Sequence, residues 1–433
     1  MQYYSLNNQS PIVSFSQATI KGQAPDKGLY FPLAIPVLPN GFVEGIKNYS
    51  KEEIGFTVMK PYVGGEIPDA VLQQIVNETI NFSFPLVRIN EQISTLELFH
   101  GPTLAFKDVG ARFMSRCLGY FSRNNNAKVT VLVATSGDTG GAVANGFLGV
   151  EGVEVVILYP SGKVSPVQEM QLTRLGQNIH ALEINGTFDD CQAMVKNAFV
   201  DDQLTSKVNL TSANSINVAR WLPQQLYYFY AYQQWLGEQA PVVCVPSGNF
   251  GNICAGMLSY VSGLPASQFI AACNANDVVP SYMQTGVYQA KEAIATISNA
   301  MDVGNPSNFV RVMQLFSNSY PQLVQHLTSY SISDTITAQT IADVYKSTGY
   351  MLDPHGAVAY YSLNNYQETH PDSNGYFLET AHPVKFPDVV EKETGVKLAI
   401  PEQVQYLLKQ PKQSILMEAN YEHLKEWLMN KGN

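Results

Sequence analysis

Val129-Thr130-Val131-Leu132-Val133-Ala134 is a nearly unbroken apolar run, and Thr135-Ser136-Gly137-Asp138-Thr139-Gly140-Gly141 follows it directly. An apolar run of this length suits a strand buried on both faces, as in a parallel sheet. The small polar residues after it suit a turn from strand to helix, and residues 142–148 continue in helical register. Hydroxyls and backbone N–H groups at a helix N-terminus make an anion site. Thr135, Ser136, Asp138 and Thr139 are therefore candidates for holding a substrate carboxylate. A plain turn accounts for the loop alone equally well.

The same alternation continues downstream. Residues 153–158 read as the next strand, and Ser165-Pro166-Val167-Gln168 as a capping box with proline at the first helical position. Residues 179–184 are strand-like, and Thr187 opens a helix carrying Cys191, Val195 and Phe199. Residues 241–245 form a strand that ends in a second glycine-rich loop, Pro246-Ser247-Gly248-Asn249-Phe250-Gly251-Asn252, and 269–273 form another strand. Alternating strands and helices imply parallel βαβ units, which bind ligands at the carboxyl ends of their strands. Glycines let backbone N–H groups approach a phosphate, and asparagine tolerates a left-handed turn. Neither loop matches GxGxxG, and the second lacks the GK[ST] ending of nucleotide-binding loops.

Upstream lies His100-Gly101-Pro102-Thr103-Leu104-Ala105-Phe106-Lys107-Asp108. Val109, Phe113, Cys117 and Phe121 then recur on one helical face. Lys107 should stand in the first turn of that buried helix. Burial lowers a lysine's pKa, which makes Lys107 a candidate Schiff-base nucleophile. The ordinary alternative is a lysine whose stem is covered and whose head stays wet. Thr380, after the strand-like Tyr376-Phe377-Leu378, can present a neutral hydroxyl to a heterocycle nitrogen, or simply satisfy nearby backbone. Arg112, Lys163 and Arg220 are cations available to an anionic substrate, though each alone reads as a surface charge. His100, His355 and His382 are not spaced as metal ligands.

The chain has 433 residues, enough for two or three domains. Residues 1–95, rich in Gly- and Pro-bearing turns, read as a separate packing domain with a helix starting at Pro68. Residues 96–433 carry the chemistry. A polar loop is expected at 367–375 and an amphipathic helical tail after Pro401. A net charge of −10 argues against nucleic acid and anionic membranes as partners. It leaves room for a small anionic substrate in a locally basic pocket. The start is polar, and no apolar run is long enough for a membrane span. Five scattered cysteines without CxxC suggest reduced thiols and a cytoplasmic protein without a zinc site.

Taken together, residues 100–108, 136–140, 159–168, 214–217, 248–252, 298–302 and 380–386 closely resemble the threonine synthase family, in its bacterial and fungal type. Val13-Ser14-Phe15 and residues 28–32 add to the likeness, which covers nearly the whole chain. The resemblance implies fold type II of the pyridoxal-phosphate enzymes. That fold has two doubly wound α/β subdomains like the tryptophan synthase β chain, here with an additional N-terminal domain. It implies pyridoxal 5′-phosphate as cofactor, bound to Lys107. Gly248, Asn249, Phe250, Gly251 and Asn252 would hold its phosphate, and Thr380 would meet the pyridine nitrogen. Thr135, Ser136, Asp138, Thr139, Lys163, Asn214 and Arg220 would bind substrate. O-phospho-L-homoserine and water would become L-threonine and phosphate by γ-elimination and β-addition of water, the chain acting as monomer or homodimer. The alternatives are another lyase of the same fold, such as a serine/threonine dehydratase, and a non-catalytic relative that only binds the cofactor.

Overall fold

The structure, a computed structural model, describes residues 1–125 and 128–431. Its strands in chain order are β1 (Gln2–Ser5), β2 (Val13–Ser14), β3 (Tyr30–Pro32), β4 (Leu86–Arg88), β5 (Ile93–Glu97), β6 (Val129–Ala134) and β7 (Val153–Pro160). Then come β8 (Ile179–Asn185), β9 (Leu210–Thr211), β10 (Val242–Pro246), β11 (Gln268–Cys273), β12 (Leu327–Ser331), β13 (Gly375–Glu379) and β14 (Ser414–Glu418). They form three sheets, ordered β2-β1-β3, β12-β11-β10-β13-β5-β4 and β14-β8-β7-β6-β9. The five-stranded sheet is parallel throughout. The six-stranded sheet is parallel except where β4 runs against β5.

The apolar runs behave as their burial demands. β6 is buried at every position and β10 likewise, because helices cover both faces of their sheets. β7 extends to Pro160, past the expected end at 158. Ser165 and Gln168 form the expected capping box, and Thr187 caps the helix Phe188–Val200 through Asp190. Pro68 is the N-cap of the helix Asp69–Thr79, one position earlier than its expected place inside the first turn. The tail departs from expectation. It contains β14, which adds in parallel to β8, before a final helix Tyr421–Lys431. Ile415-Leu416-Met417 is too short an apolar run to set a helical period, and the free edge of β8 decides its conformation.

The N-terminal sheet lies against the elements that carry residues 214–220. Phe31 stacks on Trp221 with ring centres 5.7 Å apart, and Phe15 meets Phe121 edge-on at 6.2 Å. The Tyr62 hydroxyl donates to Gln225 (3.2 Å), and Asn217 donates to the Thr19 carbonyl (2.9 Å). All five cysteines are buried free thiols. No helix among the described residues is long and apolar enough to cross a membrane.

Topology places the candidate loops together. β10, β13 and β5 are neighbours, and residues 246–252, 379–385 and 98–107 leave their carboxyl ends side by side. In the other sheet, β6 and its neighbour β9 deliver residues 135–141 and 212–217.

Candidate active site

Lys107 is the first residue of the helix Lys107–Asn125, and the loop before it is held from three sides. Asp108 folds back to accept from the Thr103 N–H (2.9 Å) and from the Thr103 hydroxyl. Leu104 takes a left-handed conformation (φ 59°). The Phe106 N–H donates to the Thr380 carbonyl (2.8 Å), and His382 donates back to Leu104 (3.0 Å). The Tyr227 hydroxyl donates to the Phe106 carbonyl. A lysine anchored by so many backbone contacts has a fixed starting point for its side chain.

The side chain itself is half-buried. Burial pushes the Lys107 pKa down, and the like charges of Lys385 and Arg220 push the same way against Asp138. The free amine is therefore more accessible near neutral pH than in an exposed lysine.

Asp138 reaches this pocket from the loop after β6. Lys385 and Lys107, its main stabilising neighbours, hold its carboxyl well below the usual range despite burial. Lys385 pairs with it at 2.8 Å, and Gln168 donates to the same oxygen at 2.9 Å. Gly137 (φ 141°) admits Gln168 there, since a Cβ would lie 2.4 Å from the Gln168 amide carbon. Arg220 is also buried, and its Nε and Nη1 have no acceptor among the described residues. Burial lowers its pKa to about 10. Lys107, Asp138 and Arg220 thus converge.

The remaining candidates divide. Thr135 braces its own loop, accepting from the N–H groups of Gly137 (3.0 Å) and Gly140 (2.9 Å). Ser136 is exposed at the loop tip, and Thr139 and Asn214 are half-buried. Lys163 is exposed and lies near Asp190, whose carboxyl Thr187 chiefly holds down; it is not brought to the lysine pocket. Arg112 instead caps the carbonyl of Glu78 (3.0 Å). His382 is a local brace, its Nδ1 accepting from Val384 (3.1 Å).

Along residues 248–252, Phe250 adopts a left-handed conformation (φ 59°) and caps the helix Gly251–Val261. The backbone N–H groups from Gly248 to Asn252 have no partner among the described residues. Asn249 is fixed by Ser215 (2.9 Å) and by the Ser307 N–H (2.6 Å). Gly248 lies against Met301, where a Cβ would fall 2.5 Å from its Cα. Asn252 accepts from Tyr228 (2.8 Å), leaving its Nδ2 unpartnered. Free amides at a helix N-terminus fit a phosphate dianion. The Thr380 hydroxyl makes no hydrogen bond among the described residues and fits a neutral ring nitrogen. A lysine with a lowered pKa, a run of free backbone amides and an unpartnered threonine hydroxyl are together a donor set that pyridoxal 5′-phosphate would fit.

Sequence reasoning missed Lys385, Gln168 and Arg311. Lys385 stood in a quoted stretch, five residues after Thr380, but nothing in the order of residues marked it as buried. Arg311 is wholly buried and donates to Tyr30, Ser215, Ile216 and Asn308.

Comparison with known proteins agrees with this geometry. The family described as pyridoxal-phosphate dependent enzyme matches residues 88–375. The threonine synthase N terminus matches residues 2–80, and the threonine synthase C-terminal family matches 356–428. A threonine synthase of Haemophilus influenzae is 43% identical, with 99% of this chain and all of the relative covered. That of Saccharomyces cerevisiae is 35% identical, covering 90% and 88%. The crystal structure of Escherichia coli threonine synthase superposes with a TM-score of 0.92 at 41% identity over both whole chains. The pyridoxal-phosphate-bound enzyme of Brucella melitensis gives 0.93 at 34%, again over both whole chains. More distant structures, such as a tomato threonine deaminase at 16% identity and TM-score 0.56, share the fold over 76% of this chain. From residue 2 to residue 428, the chain belongs to the threonine synthase family.

Proposed function

We propose that the protein converts O-phospho-L-homoserine and water to L-threonine and phosphate, with pyridoxal 5′-phosphate bound between its two parallel sheets. The observation that carries this reading is a half-buried lysine with a depressed pKa, beside buried cations and at the same sheet end as a run of unpartnered amides. When bound, the cofactor supplies a conjugated ring that accepts the electrons released at the substrate's α-carbon.

The protein's own residues do the rest. Lys107 Nζ would hold the cofactor through its aldehyde and, as a free amine, would accept the α-proton of the substrate. Its low pKa favours the proton-accepting form. Thr380 would offer the cofactor's ring nitrogen a neutral hydroxyl. Arg220 and the loop Thr135–Thr139, with Asn214, orient the anionic groups of the substrate. The stretch Gly248–Asn252 holds the cofactor phosphate. Lys163, exposed near Asp190, takes no part in this scheme.

The same reading divides the chain into an N-terminal domain that presses on residues 214–220 and a catalytic region; the boundary expected at 95 moves to before β4, because β4 and β5 (Ile93–Glu97) belong to the six-stranded sheet. It calls for a small anionic amino acid as substrate, no nucleic acid, and a monomer or homodimer working in the cytoplasm. The acidic net charge and the buried thiols support that setting. The test is phosphate release from O-phospho-L-homoserine by the yellow holoenzyme, with L-threonine as co-product. Turnover of L-serine instead, without phosphate release, would assign the chain to the dehydratase reaction and overturn this reading.

A further inference from the structure

One buried charge in the pocket has no task in the scheme above. Lys385 lies in the short turn Pro383–Lys385 beyond Thr380, and its side chain is wholly unexposed. Its partner, Asp138, comes from the opposite sheet at 2.8 Å. The Lys385 ammonium carries three donors, and this one close acceptor atom is shared with Gln168. Arg220, near enough to lower the Lys107 pKa, holds two nitrogens, Nε and Nη1, without a partner among the described residues.

Buried donors are almost always paired in folded proteins. Buried cations cost several kcal/mol each unless compensated. Of the two nearby carboxylates, Asp108 is already occupied by Thr103, and Asp138 is shared with Gln168. The pocket therefore carries more cationic hydrogen-bond capacity than its own acceptors use. It is built to receive an anion from outside.

Resting on the reading that the substrate is a phosphate monoester, we propose that Lys385 is a ligand of that phosphate. With Arg220 it forms a two-cation seat beside Lys107, and Asp138 holds the ammonium in place until the dianion arrives. A lysine suits this exchange, since a point charge on a flexible stem can leave one anion for another without breaking a bidentate fork. As a proton leaves the β-carbon, its electron pair forms the Cβ–Cγ double bond, the Cγ–O bond breaks and that bond's electron pair departs on the phosphate oxygen, where the two cations meet the added charge.

The rival role is a latch. The Lys385–Asp138 pair joins the two sheets and could serve closure alone. The two roles separate when inorganic phosphate and L-threonine are titrated into the holoenzyme, each followed by the cofactor's absorbance or by competition. A charge-assisted hydrogen bond is worth about 1.5–3 kcal/mol, so K385Q should weaken phosphate about tenfold or more. Its L-threonine affinity should stay within about twofold, and K385R should recover part of the phosphate binding. Equal loss of both ligands would make Lys385 a latch and overturn the proposal, as would no loss of either. If K385Q fails to fold, K385Q/D138N is compared with D138N alone. A phosphate-to-threonine affinity ratio lowered about tenfold by the added K385Q supports the role; an unchanged ratio overturns it. A wild-type enzyme that releases no phosphate from O-phospho-L-homoserine would sink the functional reading as a whole. A wild type that does so, with K385Q binding phosphate as tightly, would sink this proposal alone.

Discussion

Replacing Arg311 by methionine should damage stability and cofactor binding together, although Arg311 touches neither Lys107 nor the free amides. Its guanidinium donates twice to the Tyr30 carbonyl (3.2 and 2.8 Å), to Ser215 O (3.3 Å), to Ile216 O (2.7 Å) and to Asn308 Oδ1 (2.8 Å). It also lies 4.4 Å from the Trp221 ring centre. One side chain thus ties the N-terminal strand, residues 215–216 and the helix Phe309–Leu315. Ser215 in turn accepts from Asn249 (2.9 Å) and Asn308 (3.1 Å), so the tie extends to the loop 248–252 proposed to hold the cofactor phosphate. Methionine keeps much of the apolar stem and recovers the cost of burying a charge. It also orphans one buried carbonyl (Tyr30) and two part-buried ones (Ser215, Ile216), at about 1–3 kcal/mol for a fully buried group and less for the others. With water entering the vacated space, the loss expected is about 3–5 kcal/mol of a total stability of about 5–15. Urea unfolding of apo- and holoprotein measures it, and titration of the apoprotein with pyridoxal 5′-phosphate measures the second effect. R311K should lie between, because one ammonium cannot serve carbonyls on three elements. A loss below about 1 kcal/mol with unchanged cofactor affinity would refute the reasoning, since the orphaned carbonyls alone should exceed it.

Other perturbations test the site more directly. K107A should abolish the visible absorbance of the lysine-bound cofactor and lower turnover by about 10²-fold or more; retention of either would remove the role given to Lys107. G248A would place a Cβ 2.5 Å from the Met301 Cα, which is backbone and cannot swing aside. It should cost about 1–3 kcal/mol by overpacking and weaken cofactor binding, read by thermal melting and apoprotein titration. Glu379 is wholly buried, and burial first, then the charge of Asp353, hold its carboxyl well above the usual range. Glu97 adds to the effect; Asp353 donates its N–H to Glu379 at 2.5 Å, and Glu379 Oε2 has no partner among the described residues. The unfolded chain releases this proton at ordinary carboxylate pH and the folded chain does not. The contribution is therefore whole at acid pH and is lost as pH rises toward the folded pKa. E379Q should remove that fall, gaining on the wild type by up to about 1.4 kcal/mol per pH unit above about pH 4.5 in pH-dependent urea unfolding. Parallel pH profiles for the two proteins would count against a protonated Glu379.

Much of the site was legible in the order of residues because its parts are local. Lys107 opens a helix because the period of Val109, Phe113, Cys117 and Phe121 starts there, and all four are buried. The two glycine-rich loops follow apolar strands, and in a parallel sheet such loops must lie at the ligand-binding end. What remained hidden was long-range. Lys163 and Lys385 look alike in one dimension, each a lysine after a strand end, yet one is exposed near Asp190 and the other lies buried against Asp138.

The sequence by itself determined the long buried strands β6, β7, β8, β10 and β11, the helices capped at Ser165 and Thr187, the lysine and the loops around it, since periodicity, caps and turns depend on neighbours a few residues apart. Only the tertiary structure decided which cations share the pocket, that Ser414–Glu418 pairs with β8, and that Arg311 joins three distant segments. Those outcomes depend on which sheet ends and loops the packed core brings within hydrogen-bond reach. Charge and hydrogen bonding act over a few ångströms of space, whatever the distance along the chain.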